Sequence, residues 1–290
     1  MKKLLLFLFV AGSLKGYAWD FTYKLNANQT KTSNVNQDDT NIQDTITDYY
    51  LILQTKQDDW KIKLKTQLET YQKVSDNDFY TLDLGTTYNR TKANDITVGV
   101  FKTTYHHTPA IYSDTASDNS GVRLGTNFYN EFSENHTGII SLNGSRKNYN
   151  KLSRQDTALS ASLGLESFLT PDFSLSPDFT VSSNSSSSSL YNTAGYSPSI
   201  YANLTASEKL ELFASASYSY NYYLDRTTTT GKNKQQNVYQ ATTTYEGGAI
   251  ISLVKNLPFT IKYTSTKGQS NLSYYQYKAN LVSFGLGLKF

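Results

Sequence analysis

Cysteine is absent from this sequence of 290 residues. Its absence excludes a disulfide scaffold, thiol chemistry, an iron–sulfur cluster and any zinc site built from cysteines. Proline is scarce as well, with five residues and no G-X-Y period, which excludes a collagen-like chain. Charged residues make up only 18% whereas aromatic residues reach 14%, so the composition is not that of a disordered chain. The length fits one large all-β domain or two ordinary domains.

The N-terminal segment has the pattern of an export signal. Two lysines precede a continuous apolar run over residues 4–10, and Ala18 completes a cleavage motif of small residues. The run is shorter than the ~20 apolar residues that a membrane-spanning helix needs, which disfavours a retained anchor. We therefore predict a signal peptide over residues 1–18, cleaved after Ala18, and a mature domain over residues 19–290.

The formal charge is zero once this segment is removed. The full sequence has 27 basic and 24 acidic residues, and Lys2, Lys3 and Lys15 lie in the predicted signal. The remaining 27 − 3 = 24 basic residues balance the 24 acidic ones. A neutral domain gives no electrostatic reason to expect a nucleic-acid partner, and no motif indicates a cofactor or a metal.

Alternation of apolar and polar residues dominates the predicted mature domain. In residues 60–68 the apolar side chains share one set of alternate positions, and lysines and glutamine fill the other set. As a helix this segment would scatter its lysines around the axis, whereas as a strand it has one apolar and one polar face. This pattern recurs along the chain, so we predict about 14 antiparallel strands, with roughly 12 to 16 possible.

The connections between these segments differ in length in a regular way. Every second connection is short, at residues 56–59, 91–95, 133–136, 170–173, 207–209 and 254–258. The others are mostly longer, at residues 28–44, 106–120, 147–156, 185–195 and 224–237, and the short connection 75–78 breaks the trend. Short turns on one rim and longer loops on the other are typical of an outer-membrane barrel. An even number of strands then places both termini on the short-turn, periplasmic rim.

A water-soluble sandwich would also alternate, but it would bury its apolar face. Two features favour the membrane barrel instead. The polar positions carry mostly small uncharged residues, which suit a crowded wet lumen, and tyrosines such as Tyr218, Tyr220 and Tyr222 lie near strand ends, where an interfacial aromatic girdle is expected. We therefore predict an all-β fold, a transmembrane antiparallel up-and-down β-barrel.

The last predicted strand has apolar or aromatic residues at alternate positions and a terminal aromatic residue, namely Phe284, Leu286, Leu288 and Phe290. This pattern resembles the C-terminal β-signal of Gram-negative outer-membrane proteins. The resemblance implies a porin-like barrel in the outer membrane, surrounded by lipid and recognised by the barrel-assembly machinery through this strand. It assigns neither a subfamily nor an oligomeric state.

The number of strands sets the width of the lumen. About eight strands give an interior that side chains can fill, and 16–18 leave an aqueous channel, so roughly 14 strands favour an open lumen. We predict a passive diffusion channel for small polar solutes or ions, not an enzyme. The side chains predicted to line the pore are Lys61, Lys63, Lys65, Asp83, Arg123, Glu166, Glu246 and Lys262, together with Asp48, Glu69, Glu131, Asp178, Glu211 and Lys289.

Lys61, Lys63 and Lys65 share the polar face of one predicted strand and are called the lysine ladder below. One interpretation is an anion-attracting stripe at a constriction of the pore. The other is a solvated wall in which the lysines pair with acids on neighbouring strands, such as Asp83, and we favour this second interpretation because such pairs are common on strands. The transported solute and the ion selectivity stay open.

A barrel hydrolase is one alternative function, and it would need a histidine. His106 and His107 begin a predicted external loop, with Asp114 and Asp118 downstream, and such a cluster can bind a metal or activate water. No spacing of serine and histidine resembles that of the outer-membrane phospholipases, and His136 falls in a predicted short turn. We therefore expect these histidines to be loop and turn residues.

A non-conducting structural or adhesion barrel is the other alternative. Its contact surface would include the serine-rich residues 182–189, which we predict to lie in an external loop. A flexible polar loop without a partner explains the same composition, and we favour that interpretation.

Overall fold

The computed structural model describes residues 20–34, 42–106, 118–150, 153–230, 234–254 and 256–289. The predicted signal peptide therefore lies outside the described residues, as do His107, Asp114 and Phe290. Among the described residues, regular structure consists of β-strands and three single 3-10 turns. No helix in this part of the chain is long and apolar enough to cross a membrane.

Fourteen strands make up the described structure. They are β1 (Asp20–Thr32), β2 (Asp44–Gln57), β3 (Trp60–Tyr71), β4 (Phe79–Thr91), β5 (Asn94–Tyr105), β6 (Asn119–Ser133), β7 (His136–Tyr149), β8 (Arg154–Thr170), β9 (Phe173–Ser186), β10 (Thr193–Ser207), β11 (Leu210–Thr230), β12 (Lys234–Val254), β13 (Leu257–Ser270) and β14 (Tyr277–Lys289).

Each strand pairs antiparallel with the strands before and after it in sequence, and β1 pairs with β14. The sheet is therefore a closed up-and-down barrel, which confirms the predicted fold class and strand number. Closure is continuous, because β1 and β14 stay in register from Lys24 opposite Lys289 to Thr32 opposite Leu281. A closed barrel leaves no unpaired sheet edge, so every strand has a hydrogen-bonded neighbour on both sides.

Two-residue turns join the strands along one rim. β2 ends at Gln57 and β3 begins at Trp60, and the other turns on this rim have the same length. Three of them share a local hydrogen bond, in which the Oγ of Thr91, Ser133 or Ser207 accepts from the backbone N–H two residues later. In these bonds the side chain accepts from a backbone N–H that would otherwise pair with a neighbouring strand, which favours a turn and explains why these strands end here. Both ends of the described barrel lie on this rim.

The opposite rim differs from the predicted loops. Residues 224–237 are mostly strand, because β11 and β12 each extend for 21 residues and their tips pair from Thr227 opposite Asn237 to Thr230 opposite Lys234. The predicted serine-rich loop is partly strand too, since β9 runs to Ser186. These boundary predictions were wrong, whereas the difference between the two rims holds in the direction predicted.

The two faces of the barrel wall have opposite chemistry. Apolar side chains cover the outer face, where Leu163 is 64% exposed and Leu124 is 58% exposed. Polar, charged and small side chains predominate on the inner face, together with a few large apolar ones such as Ile46 and Phe213. A soluble sandwich would bury the apolar face, so the alternative of a sandwich is wrong.

Aromatic side chains mark the two ends of the apolar outer surface. On β4, Tyr80 and Tyr88 bracket Leu82 and Leu84, and Trp60 of β3 packs against Tyr88 at 4.7 Å between ring centroids. Tyr80 and Tyr88 are eight residues apart, which is about 27 Å along the strand and ~20 Å along the barrel axis if the strand is tilted by roughly 40° from that axis. This height approaches the ~25 Å apolar band of outer-membrane barrels.

Candidate functional site: the inner wall of the barrel

The strand register brings the predicted pore-lining residues onto one face. Lys65 of β3 lies opposite Asp83 of β4, Arg123 opposite Gly99 of β5, and Glu246 opposite Thr264 of β13. Because directly opposed residues share a face, these side chains all lie on the side opposite the exposed apolar residues. The inner-face positions are those of Lys61, Lys63, Lys65, Asp83, Arg123, Glu166, Glu246, Lys262, Asp48, Glu69, Glu131, Asp178 and Glu211.

Arg123 and Asp83 form a bidentate ion pair that spans β4 to β6. Arg123 Nη2 donates to Asp83 Oδ1 at 2.6 Å, and Nη1 donates to the other carboxylate oxygen. The guanidinium crosses the wall over Gly85 and Gly99, where a Cβ atom would lie 2.9 Å from it. Glycine at both positions leaves room for the arginine to lie flat on the wall. The bidentate hydrogen bonds and the opposite charges then hold the guanidinium against Asp83.

The lysine ladder does not pair with acids in the way that we favoured from the sequence. Lys65 lies opposite Asp83, but Arg123 binds the carboxylate of Asp83, and no member of the ladder is within 4 Å of a carboxylate of a described residue. Lys65 instead places its ammonium 5.5 Å from the centroid of the Tyr50 ring. The preferred interpretation of a paired wall is therefore wrong for these three lysines.

The same wall becomes acidic toward the loop rim. Asp48 of β2 and Glu69 of β3 lie directly opposite each other. Asn28 Nδ2 donates to Asp48 Oδ2 at 3.3 Å, and the Tyr71 hydroxyl donates to Glu69 Oε1. From Lys61 to Glu69 the strand rises by about 27 Å, so the sign of the charge on this wall changes along the barrel axis.

A second ion pair lies on the inner wall formed by β12 and β13. Lys262 Nζ is 2.9 Å from Glu246 Oε2, which also accepts from Thr264 Oγ1 at 3.2 Å. Beside it is a cavity of about 590 Å³ whose lining spans eight consecutive strands, from β10 through the β14–β1 closure to β3. Lys24 and Tyr201 also line this cavity. The inside of the barrel thus contains polar, charged space.

The histidines do not form a catalytic or metal site among the described residues. His106 is exposed at the end of β5, and Asp118 Oδ1 accepts from the Tyr105 backbone N–H at 2.9 Å. His136 lies in β7, not in a turn as predicted, and its Nδ1 is 3.0 Å from Ser167 Oγ. Ser167 is only 6% exposed, so a substrate could not reach it. No cluster of His, Asp and Glu suited to a metal occurs in the described part of the chain.

Two arginines near the loop rim were not predicted as functional residues. The guanidinium of Arg154 lies 3.9 Å from the ring centroid of Tyr149 and 4.1 Å from that of Tyr191. Arg226 Nη1 donates to the Tyr275 hydroxyl at 3.0 Å. Tyr149 lies directly opposite Arg154 across the β7–β8 connection, whereas Tyr191 and Tyr275 come from distant segments that no local spacing could have revealed.

The residues of the predicted assembly signal lie on β14, beside the strand that closes the barrel. Phe284 and Leu286 point outward and are 45% and 47% exposed, and Leu286 lies opposite Ala27 of β1. Leu288 is half-buried on the same face. The terminal aromatic Phe290 lies outside the described residues.

Comparisons with known proteins connect this chain to outer-membrane channels by fold. No protein-family model matches the sequence, and no curated protein is significantly similar to it. Among solved structures, a bacterial polysaccharide outer membrane secretin has a TM-score of 0.62 at 11% identity, covering 92% of this chain and 98% of its own. The CymD monoaromatic hydrocarbon channel has a TM-score of 0.53 at 9% identity, covering 96% and 90%. Salmonella typhi OmpF, solved with daunomycin, has a TM-score of 0.52 at 13% identity, covering 94% and 97%. At these identities the similarity establishes the shared barrel fold.

Proposed function

We propose that this protein is a passive diffusion channel for small polar solutes or ions in the outer membrane of a Gram-negative bacterium. One observation carries the proposal: a closed barrel of fourteen strands has an apolar outer face and a charged, hydrophilic inner face. Such a wall is stable where lipid surrounds it and water fills it. The fold shared with outer-membrane channels supports the proposal.

The proposed cellular location follows from the chain's N-terminal and C-terminal segments. Residues 1–18 are proposed to direct export and to be cleaved after Ala18, which leaves residues 19–290 to form the barrel. The alternating pattern that ends in Phe290 is proposed to engage the barrel-assembly machinery. In that orientation the two-residue turns and both chain ends of the mature protein face the periplasm.

Passage through the proposed channel needs no conformational cycle. Solutes cross by diffusion, and the inner wall selects them by size and charge. The lysine ladder is proposed to raise the local concentration of anions in the half of the lumen nearest the two-residue turns, because Arg123 already neutralises the closest acid, Asp83. The acidic pair of Asp48 and Glu69 limits this preference nearer the loop rim.

Two observations support transport in preference to hydrolysis. Ser167, which contacts His136, is buried, and Nε2 of His136 has no acidic partner among the described residues. A serine hydrolase needs an exposed nucleophile and a group that orients its base. We propose that the His136–Ser167 hydrogen bond instead fixes the start of β7 against β8.

Single-channel recording in planar bilayers tests the proposed function. Purified, heat-modifiable protein should produce stepwise conductance increments, and added neutral polymers of increasing size should stop reducing the conductance once they no longer enter the pore. Stable insertion without conductance would overturn the channel and favour the structural or adhesion barrel. Hydrolysis of a lipid or peptide substrate by purified protein would instead favour the enzyme alternative.

A further inference from the structure

The outer face of the barrel carries charge of only one sign where the strand register assigns the faces. The charged side chains in register with the exposed apolar ones are Lys31, Lys102, Arg146, Lys267 and Lys278, and every one is exposed. Among the described residues in that register, no aspartate or glutamate shares this face. An outer face whose charged side chains are all basic is complementary to anionic lipid headgroups.

Lys267 and Lys278 are the most unusual of these residues, because they lie directly opposite each other on β13 and β14. Like charges in direct opposition destabilise a sheet, with Cβ atoms about 5 Å apart. Neither ammonium is within 4 Å of a carboxylate in the described residues. An anion that contacts both lysines would remove the repulsion, so the pair has the chemistry of a binding site.

A pocket of about 820 Å³ adjoins this lysine pair on the outer face. Tyr218, Tyr220 and Tyr239 line it on the β11 and β12 side, and Ala241, which is only 4% exposed, also lines it. Tyr220 and Tyr239 stack at 5.6 Å between ring centroids. Tyrosine and lysine together are the side chains that anchor a barrel at the level of lipid headgroups.

The surface below the pair is suited to acyl chains. Toward the two-residue turns, β13 and β14 present Tyr263, Ile261, Val282, Phe284 and Leu286 outward, each at least 38% exposed. The two strands therefore offer a basic headgroup site at the loop end and an apolar track beneath it. A free phosphate ion would use the lysines without needing the track.

We propose that Lys267, Lys278 and the adjoining tyrosine pocket bind the phosphate-bearing headgroup of a lipid in the leaflet on the loop side of the barrel. Lysine binds phosphate as a point charge, and basic pockets on membrane proteins hold anionic lipid headgroups in this way. The proposal rests on the proposed membrane location but not on conductance.

Native mass spectrometry of the full mature chain in detergent tests it, with diphosphoryl lipid A as the probe. The wild type should retain one lipid, and the double variant Lys267→Gln/Lys278→Gln should bind it about tenfold more weakly. Lys102→Gln is the matched control, because Lys102 is also basic, exposed and outward but lies opposite Leu82 and Ser120. This control should bind lipid A like the wild type.

Three binding results would overturn the lipid site. They are equal retention by the double variant, retention of the dephosphorylated lipid to the same degree, and saturation of the site by inorganic phosphate alone. A dimer or trimer that excludes the lipid would show that a second copy of the chain covers the pocket, which also overturns it. A wild-type protein that retains no lipid A but shows normal heat modifiability and conductance would refute this inference and leave the channel intact, whereas a wild type that needs no detergent would refute both.

Discussion

Reversing the charge of the lysine ladder is the perturbation that bears most directly on ion preference. The three lysines are on alternate residues of one strand, with Cα atoms about 6.7 Å apart, and none of their ammonium groups is neutralised by a described acid. In water, one unit charge acts on an ion ~5 Å away with about 0.8 kcal/mol, and screening at 0.1 M salt leaves roughly half of this. The three together contribute about 1 kcal/mol in favour of a passing anion.

The triple variant Lys61→Glu/Lys63→Glu/Lys65→Glu should therefore move the local free energy of an anion by about 2 kcal/mol. Permeation averages this effect over the whole pore, so the measured ratio of anion to cation permeability should fall by at least ~5-fold. The assay is the reversal potential of single channels under a tenfold gradient of potassium chloride. Changing the three lysines to glutamine should give about half of the logarithmic shift.

The matched control places the same substitution outside the lumen. Lys92 and Lys209 lie in exposed two-residue turns, so Lys92→Glu/Lys209→Glu should leave the reversal potential close to that of the wild type. An unchanged reversal potential in the ladder variant, with its heat modifiability intact, would refute the assigned role. A shift of equal size in the control would show that rim charge, and not the ladder, sets the preference.

Three further predictions concern stability, each measured as the urea midpoint of unfolding from lipid vesicles. Arg123→Ala should lower the free energy of unfolding by about 0.5–1 kcal/mol, because its ion pair is partly exposed to water; an unchanged midpoint would contradict this. Leu84→Arg on the outer face should lower the free energy of unfolding by roughly 2–4 kcal/mol, whereas Thr87→Arg on the inner face should lower it much less. Equal losses of stability would contradict the assignment of these two residues to opposite faces. Trp60→Ala should cost at least ~1 kcal/mol through its lost contact with Tyr88, and a neutral effect would remove Trp60 from the girdle.

The fold was largely predictable because the period of two repeats along the chain. In residues 60–68 the alternation is nearly complete, and β3 is observed from Trp60 to Tyr71. Strand ends on the loop side were not predictable in the same way. Residues 227–230 are four threonines, which have no apolar alternation, yet they pair with residues 234–237 because neighbouring strands extend the ladder.

The inner wall was predictable as a face but not as a set of contacts. Parity along each strand placed Asp83 and Arg123 on the same side without any structure. Their ion pair spans two strand spacings and passes over Gly85 and Gly99, so it depends on the register of three strands at once. The sequence therefore suggested Lys65, on the adjacent strand, as the partner of Asp83. Arg123, two strands away, binds the carboxylate instead.

Single-cysteine labelling of β3 tests most directly whether the apolar face of the barrel wall contacts lipid and the polar face contacts water. The chain has no cysteine, so Leu64, Lys65, Thr66 and Gln67 can each be replaced by cysteine in an otherwise unreactive background. In folded protein in lipid vesicles, spin labels at 64 and 66 should be accessible to oxygen, which partitions into lipid. Labels at 65 and 67 should be accessible to a water-soluble nickel chelate instead. The opposite alternation, or equal access of the chelate to all four positions, would contradict a barrel with lipid outside and water within.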